Sequence, residues 1–348
     1  MEMNLVQYGA TPSKAIDGNE SARRAAFETS KGVLDVLFLS EADVEASIDP
    51  ASLLEALEGG FADLERGLVQ VPPRPQIDVP GAGFSLAMPA WRPGDLITVK
   101  VVNVFDANLE LGLPNHLAMI TLYDPVNGAT RCVMDGTYIT GLRTAATAAL
   151  SVRLLSQPDA REATIVGAGV QAREHLRLLP LVRSFERINI CSLYFEDAQR
   201  LARRSELANA EVDLRRAVER SDVVCLATHS PRPVIDAEWV RPGAHVTSVG
   251  YFPPDGELPR ELLRRGRLFV ENADACEPAP VGCPELVDVD RRTATNLGSV
   301  VIEPARGRST DEEITVYKAM GIALEDMVAA NLAHITATAR GRGTVVRW

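Results

Sequence analysis

Basic charge is what this sequence most conspicuously lacks. The formal net charge is -11, whereas phosphate backbones demand a basic surface, so no nucleic-acid partner is expected. The cysteines Cys132, Cys191, Cys225, Cys276 and Cys283 are odd in number and include no CxxC pair. That makes a poor disulfide framework and a poor zinc site, and suits reduced thiols in a cytosol. No run approaches the roughly 18 apolar residues a membrane span needs. The segment from Met1 to about residue 32 is polar and without an apolar signal core, and it reads as a flexible N-terminal arm. The expectation is a soluble, cytoplasmic protein with no membrane partner. There is no GxSxG elbow and no HExxH, which leaves hydrolase and zinc chemistry without support. His116, His175, His229, His245 and His334 show no metal spacing, so no metal is expected.

What is present is ordinary in bulk and informative in order. At 348 residues, 46% hydrophobic and 24% charged, the chain can build two cores. A short strand at 36–39 leads to Ser40 and Asp43, which resemble a capping box. A helix follows over 50–66, with Leu53, Leu54, Leu57, Phe61 and Leu64 at helical spacing. Between 71 and 135 the pattern is strand-like, with an apolar run at 97–104 carrying the single charge Lys100. Asn127-Gly128 marks a hairpin. This block reads as an antiparallel or mixed α+β unit. From Arg143 the character changes: an Ala-rich helix over 144–156 is followed by alternating strands and helices. Strands are expected at 163–167, 188–192, 222–227, 244–249 and 268–271, with an abbreviated strand before Arg220. Such alternation implies a parallel sheet covered on both faces. A last helix is expected from 314 to about 332.

Two groups of residues carry chemistry. Gly167-Ala168-Gly169-Val170-Gln171-Ala172 lies between an apolar strand and a helix, the context in which GxGxxA binds a pyrophosphate. Gly167 permits the tight turn, Gly169 the close approach, and the helix starting near Val170 offers free N–H groups and its dipole. The strand that follows ends in Ser192, where an acid would hold a ribose. No Arg follows to bind a 2′-phosphate, so NAD and NADP both remain open. His229, just past the apolar strand ending at Thr228, lies where such sheets bind cofactors. The second group is the cations Arg74, Lys100 and Arg143. Arg143, read as starting its helix, opposes the dipole there and suggests a bound anion. Three cations around one cleft suit a carboxylate.

The chain resembles a known family. Lys100-Val101-Val102-Asn103-Val104-Phe105, Gly112-Leu113-Pro114 and Met134-Asp135-Gly136-Thr137-Tyr138 look like its consecutive blocks. So do Leu142-Arg143-Thr144-Ala145-Ala146, the glycine turn, and Asp311-Glu312-Glu313-Ile314-Thr315-Val316-Tyr317-Lys318 with Gly321. Over residues 35–345 these resemble the ornithine cyclodeaminase/mu-crystallin family, which includes alanine dehydrogenases and ketimine reductases. The resemblance implies an α/β homodimer. A Rossmann dinucleotide-binding domain (143–317) would join an α+β substrate and dimerisation domain (33–142 with 318–348). It implies that Arg74, Lys100 and Arg143 hold an amino-acid carboxylate beside the nicotinamide. Thr144, Gly169, Val170 and Gln171 would meet the cofactor phosphates, Ser192 the ribose, and Thr228 and His229 the adenosine side. Met320 and Gly321 would line the nicotinamide pocket, Val249 would lie beside the cofactor, and Asn115 matches a cofactor position loosely. Met88 and Phe252 would line the substrate pocket. Cyclodeaminases and alanine dehydrogenases carry an Asp where this chain has Phe252; Phe cannot accept a proton, and only a shifted loop would bring in Asp255.

The leading expectation is therefore NAD(P)H-dependent hydride transfer to the C=N carbon of a 2-imino acid or cyclic ketimine. The alternatives are a cyclodeaminase releasing ammonia with catalytic NAD, and a cofactor-holding binding protein without catalysis.

Overall fold

The computed structural model describes residues 34–278 and 281–347; the expected arm at 1–32 lies outside the described residues. Two sheets organise the chain. The first contains β1 (Asp35–Leu39), β2 (Gln76–Val79), β3 (Gly83–Ala90), β4 (Ile97–Val104), β5 (His116–Tyr123), β6 (Thr130–Asp135) and β15 (Thr344–Arg347). Their order is β15-β1-β6-β5-β4-β3-β2, antiparallel except for the β1–β6 pair. Between β1 and β2 lie α1 (Glu41–Glu45) and α2 (Pro50–Glu65). The capping box expected at α1 is present, with Ser40 Oγ accepting from Asp43 N and Asp43 accepting from Ser40 N. Asp49 caps α2 through Ser52 N, and Pro50 sits in the first turn, where its missing N–H costs nothing.

Strand β4 decides where the chemistry goes. Thr98, Lys100 and Val102 are buried while Val101 is exposed, the two-residue alternation of a pleated strand. Lys100 thus points inward, under helix α9 (Ala323–Ala339). Asn331 of α9 fastens the two elements: its Oδ1 accepts from Leu96 N at 2.9 Å and its Nδ2 donates to Thr98 Oγ1 at 3.2 Å. A Cβ on Gly60 would lie 2.9 Å from Val328 Cγ2. The glycine that weakens α2 as an isolated helix is therefore what lets α9 cross it closely.

The second sheet contains β7 (Glu162–Val166), β8 (Arg187–Cys191), β9 (Ala208–Ala210), β10 (Val223–Leu226), β11 (His245–Ser248), β12 (Arg267–Val270), β13 (Thr295–Asn296) and β14 (Thr315–Lys318). Every pairing is parallel, in the order β13-β12-β14-β11-β10-β7-β8-β9. Within it β9-β8-β7-β10-β11-β14 has the Rossmann order, with its switch point between β7 and β10. The helices of this half include α4 (Val170–Leu178), α5 (Phe195–Ala202), α6 (Leu214–Arg220), α7 (Arg260–Arg265) and α8 (Leu297–Ile302). No helix among the described residues is long and apolar enough to cross a membrane.

Two expectations are corrected. The helix expected from 144 is α3 (Thr137–Leu155), which begins earlier, so Arg143 lies in its interior rather than at its start. The helix expected over 314–332 is two elements. Thr315–Lys318 is β14, buried along its whole length between β11 and β12, and α9 begins only at Ala323. Gly321, with φ of 72°, turns the chain between them in a conformation that favours glycine.

Candidate active site

Since Arg143 is not at a helix start, its charge is not set against the α3 dipole. It is answered instead by two acids in the first turn of α9, where carboxylates are favoured by that helix's own dipole. Arg143 Nη1 pairs with Glu325 Oε2 at 2.5 Å, and Nε with Asp326 Oδ1 at 3.1 Å. The other oxygen of Asp326 lies 2.7 Å from Lys100 Nζ. All four side chains are buried. Burial pulls the Lys100 ammonium down, Asp326 restores part of the loss, and the group settles at about 8. Burial also opposes the Arg143 guanidinium, but Asp326 and Glu325 outweigh it and hold it above its ordinary range. Burial pushes the Glu325 carboxyl up to about 8 against the pull of Arg143.

Arg74 joins this array through the turn after β14. Its Nη1 donates to Gly321 O at 3.1 Å, and its Nη2 to Val281 O at 3.3 Å. The turn is braced from below by the buried Glu271, which accepts from Gly321 N at 2.7 Å and from Met320 N at 2.9 Å. A Cβ on Gly321 would lie 2.3 Å from Arg143 Nη1, so the turn passes directly over that guanidinium. Met88 faces Lys100 across the β3–β4 pair. Together with Arg74, Met320, Gly321 and Pro73 it lines an open recess. The cations expected to act together, Lys100, Arg74 and Arg143, are thus brought together, and so are Met88, Met320 and Gly321.

The expected cofactor residues fall along the C-terminal edge of the parallel sheet, where such sheets bind ligands. Gly167 has φ of 123°, and a Cβ there would lie 2.3 Å from Ala227 O, so the turn has room for glycine only. Gly169 precedes α4 without a side-chain cap, and a Cβ on it would meet nothing within 4 Å. Val170 is exposed, and Gln171 Oε1 is buried with no hydrogen-bond partner among the described residues. Open space above an uncapped helix N-terminus fits a pyrophosphate. Thr144, beside Arg143 on α3, turns its hydroxyl to Thr140 O at 2.9 Å. Ser192 is half-buried just past β8, followed by the exposed Leu193 and Tyr194.

One carboxylate ties the ends of β10 and β11. Glu257 Oε2 accepts from Thr228 N and Oγ1, and Oε1 from Ser248 Oγ, Val249 N and Gly250 N. Beneath it the buried Lys318 donates to Glu285 Oε1 at 2.9 Å and to Gly250 O at 2.5 Å. The loop so held carries Phe252, whose ring meets His229 edge-on with centroids 4.3 Å apart. His229 Nε2 in turn lies 3.5 Å from Asp106 Oδ1, which accepts from Asn115 Nδ2 at 3.1 Å. Asn115 thereby reaches the β10 end from the first sheet. Asp255 is exposed. The sequence reading missed Asp326, Glu325, Glu271, Glu257 and the Lys318–Glu285 pair. Glu325-Asp326 does carry a signal: two adjacent acids inside an otherwise apolar helical run.

The model of the ornithine cyclodeaminase/mu-crystallin family matches residues 35–340. The chain belongs to that family. Among its relatives, the ketimine reductase mu-crystallin of Mus musculus is 34% identical over 315 residues, 85% of this chain and 96% of that protein. The Delta(1)-pyrroline-2-carboxylate reductase of Thermococcus litoralis, solved with NADH and L-proline, is 33% identical with a TM-score of 0.83. It covers 89% of this chain and 100% of its own. An archaeal alanine dehydrogenase dimer with bound NAD is 28% identical with a TM-score of 0.82, over 90% of this chain and 99% of that one. This family member thus shares its fold, over about nine tenths of its length, with enzymes solved with a bound nicotinamide cofactor.

Proposed function

We propose that the chain is an NAD(P)H-dependent imine reductase acting on a 2-imino acid or cyclic ketimine. The observation that carries the reading is the buried Lys100–Asp326–Arg143 array, next to Arg74 and to a loop that presents Phe252 rather than an acid. The nicotinamide supplies a hydride when bound. Arg74 and Arg143 hold the substrate carboxylate, which fixes the imine carbon for attack and amounts to catalysis by positioning. Lys100 Nζ gives a proton to the imine nitrogen. The C=N bond becomes CH–NH, the cofactor is oxidised, and a 2-amino acid leaves. Gly167, Gly169, Val170, Gln171 and Thr144 hold the phosphates; Ser192, Thr228, His229, Val249 and Asn115 flank the rest of the cofactor. Ser192, Leu193 and Tyr194 offer neither an acid nor an Arg, so the reading admits NAD and NADP alike.

The test is loss of nicotinamide absorbance with NADH and NADPH against a panel of cyclic imines, pyrroline-2-carboxylate among them. Consumption is expected, and kcat for reduction should fall as pH rises through about 8, because the donor is the protonated Lys100. Lys100→Met should abolish turnover while NADH binding survives. Ammonia release from ornithine or lysine without net change in the cofactor would overturn the reading in favour of cyclodeamination.

The same reading includes a homodimer. Val101 pairs with Met119 and Asn103 with Leu117 across β4–β5. Val101, Met119 and Leu117 are exposed, an apolar strip on the face opposite α9 of the kind that marks interfaces. The family's dimeric alanine dehydrogenase supports it. Light scattering should give twice the chain mass, and Met119→Glu should give one.

A further inference from the structure

We infer that Asp326 is a positioning residue that keeps Lys100 an ammonium and aims it, together with Arg143, at the substrate. The inference rests on the reductase reading, and it begins from a geometric fact that reading leaves unused. Asp326 divides its carboxylate: Oδ2 faces Lys100 Nζ at 2.7 Å and Oδ1 faces Arg143 Nε at 3.1 Å. Two functional cations on separate elements, β4 and α3, are thereby registered against each other by one side chain of a third, α9. Asp326 and Lys100 are both buried, and in such surroundings a lysine sheds its proton unless an anion holds it.

The charged and titratable groups around the pair come from several elements, among them His116 of β5, which Lys100 and Arg143 both repel in its charged form. Arg143 belongs to α3, Glu325 to α9, Glu271 to the segment after β12, Arg74 to the segment before β2, and Tyr317 to β14. Arg143 repels the ammonium and Glu325 attracts it. Asp326 is the carboxylate that touches it. Even with that contact Lys100 is held at about 8. Replacing Asp326 with the neutral, nearly isosteric Asn removes the charge and leaves the shape. The proton should then leave Lys100 at neutral pH, while Arg143 and Arg74 remain to bind a carboxylate. Asp326 therefore sets kcat and its pH dependence more than it sets KM.

The chain offers a direct probe, because it contains four lysines only, at positions 14, 31, 100 and 318. Lysine-labelled full-length protein with NADH bound, compared with Lys100→Met, identifies the Lys100 resonance, and its titration is read without any substrate. Asp326→Asn is expected to lower the Lys100 midpoint by ~1 unit or more, and to move the alkaline limb of kcat the same way with a lesser change in KM. Asp326→Glu keeps the charge but displaces it by a methylene. Its Lys100 midpoint should stay near that of the unaltered protein while kcat falls, and it serves equally if the Asn variant does not fold. An unmoved Lys100 titration in Asp326→Asn, or an unchanged kcat in Asp326→Glu, overturns the inference. If the unaltered protein reduces no imine yet Asp326→Asn still shifts Lys100, the reductase reading fails and the control of Lys100 by Asp326 stands.

Discussion

Gly321→Ala is the sharpest probe of how the turn and the cations depend on each other. The residue has φ of 72°, a conformation that costs an L-residue about 1–2 kcal/mol. The added Cβ would also lie 2.3 Å from Arg143 Nη1, 2.8 Å from Nη2 and 2.9 Å from Cζ. A flexible guanidinium would ordinarily step aside at little cost. This one is held by Glu325 and Asp326 at 2.5 and 3.1 Å, so stepping aside breaks at least one charged hydrogen bond, worth about 1.5–3 kcal/mol. The expected loss is roughly 2–5 kcal/mol of stability. A displaced Arg143 should also weaken kcat/KM for the imino acid ~10- to 100-fold. Cofactor binding should weaken less than this, because the proposed phosphate turn at Gly167 lies on a different strand and is untouched. Thermal denaturation, nicotinamide fluorescence on binding and steady-state reduction measure the three quantities. Unaltered Tm together with unaltered kcat/KM would refute the reasoning, since it would mean that Arg143 is not pinned.

Three further outcomes follow from the same geometry. Gly167→Ala meets backbone rather than a side chain, at 2.3 Å from Ala227 O, so NADH titration should show binding lost; retained affinity would mean the turn is not the phosphate site. Glu257→Gln replaces an acceptor of five hydrogen bonds by a group with one acceptor oxygen, and urea unfolding should show a loss on the order of 3 kcal/mol. Lys318→Met leaves Glu285 buried without its cation and should cost about 3–5 kcal/mol. The double change with Glu285→Leu should recover much of that, and a double variant as unstable as the single would argue against the pair.

Most of the fold was legible because its signals are local. The strand-glycine-helix context marked the turn at Gly167, but alternation in 97–104 would have put Thr98 and Lys100 on the solvent face, and they are buried because α9 covers that face. The helix α3 was read only from 144, where its Ala-rich pattern begins, and Gly141 fell outside it. Gly141 is there for a packing reason: a Cβ on it would lie 3.0 Å from Val170 Cγ1 of α4, so it admits a helix crossing that only the tertiary structure reveals. Ile314 to Leu332 was read as one helix because short apolar runs do not separate strand from helix by periodicity. The β-branched and aromatic Thr315-Val316-Tyr317 was the better guide. The acids of the site stayed hidden because their partners are far off in sequence: Asp326 answers Lys100 and Arg143, the latter 183 residues earlier, and Glu271 answers the turn that carries Gly321, 50 residues later.

Those hidden acids change what the cations mean. Lys100, Arg143 and Arg74 stand against Asp326, Glu325 and Glu271, three charges against three, so the array is no simple anion trap. Burial raises the Glu325 carboxyl against the pull of Arg143, so Glu325 takes up a proton more readily than an exposed glutamate does, and doing so leaves more of the Arg143 charge for a substrate carboxylate. As pH rises through about 8, Glu325 ionises and Lys100 loses its proton, so the attraction for the carboxylate and the supply of the proton decline together. Reduction should therefore be favoured below that pH. Phe252 belongs to the same logic. An aromatic ring packed on His229 adds no charge beside the array, whereas an acid there would add a negative one.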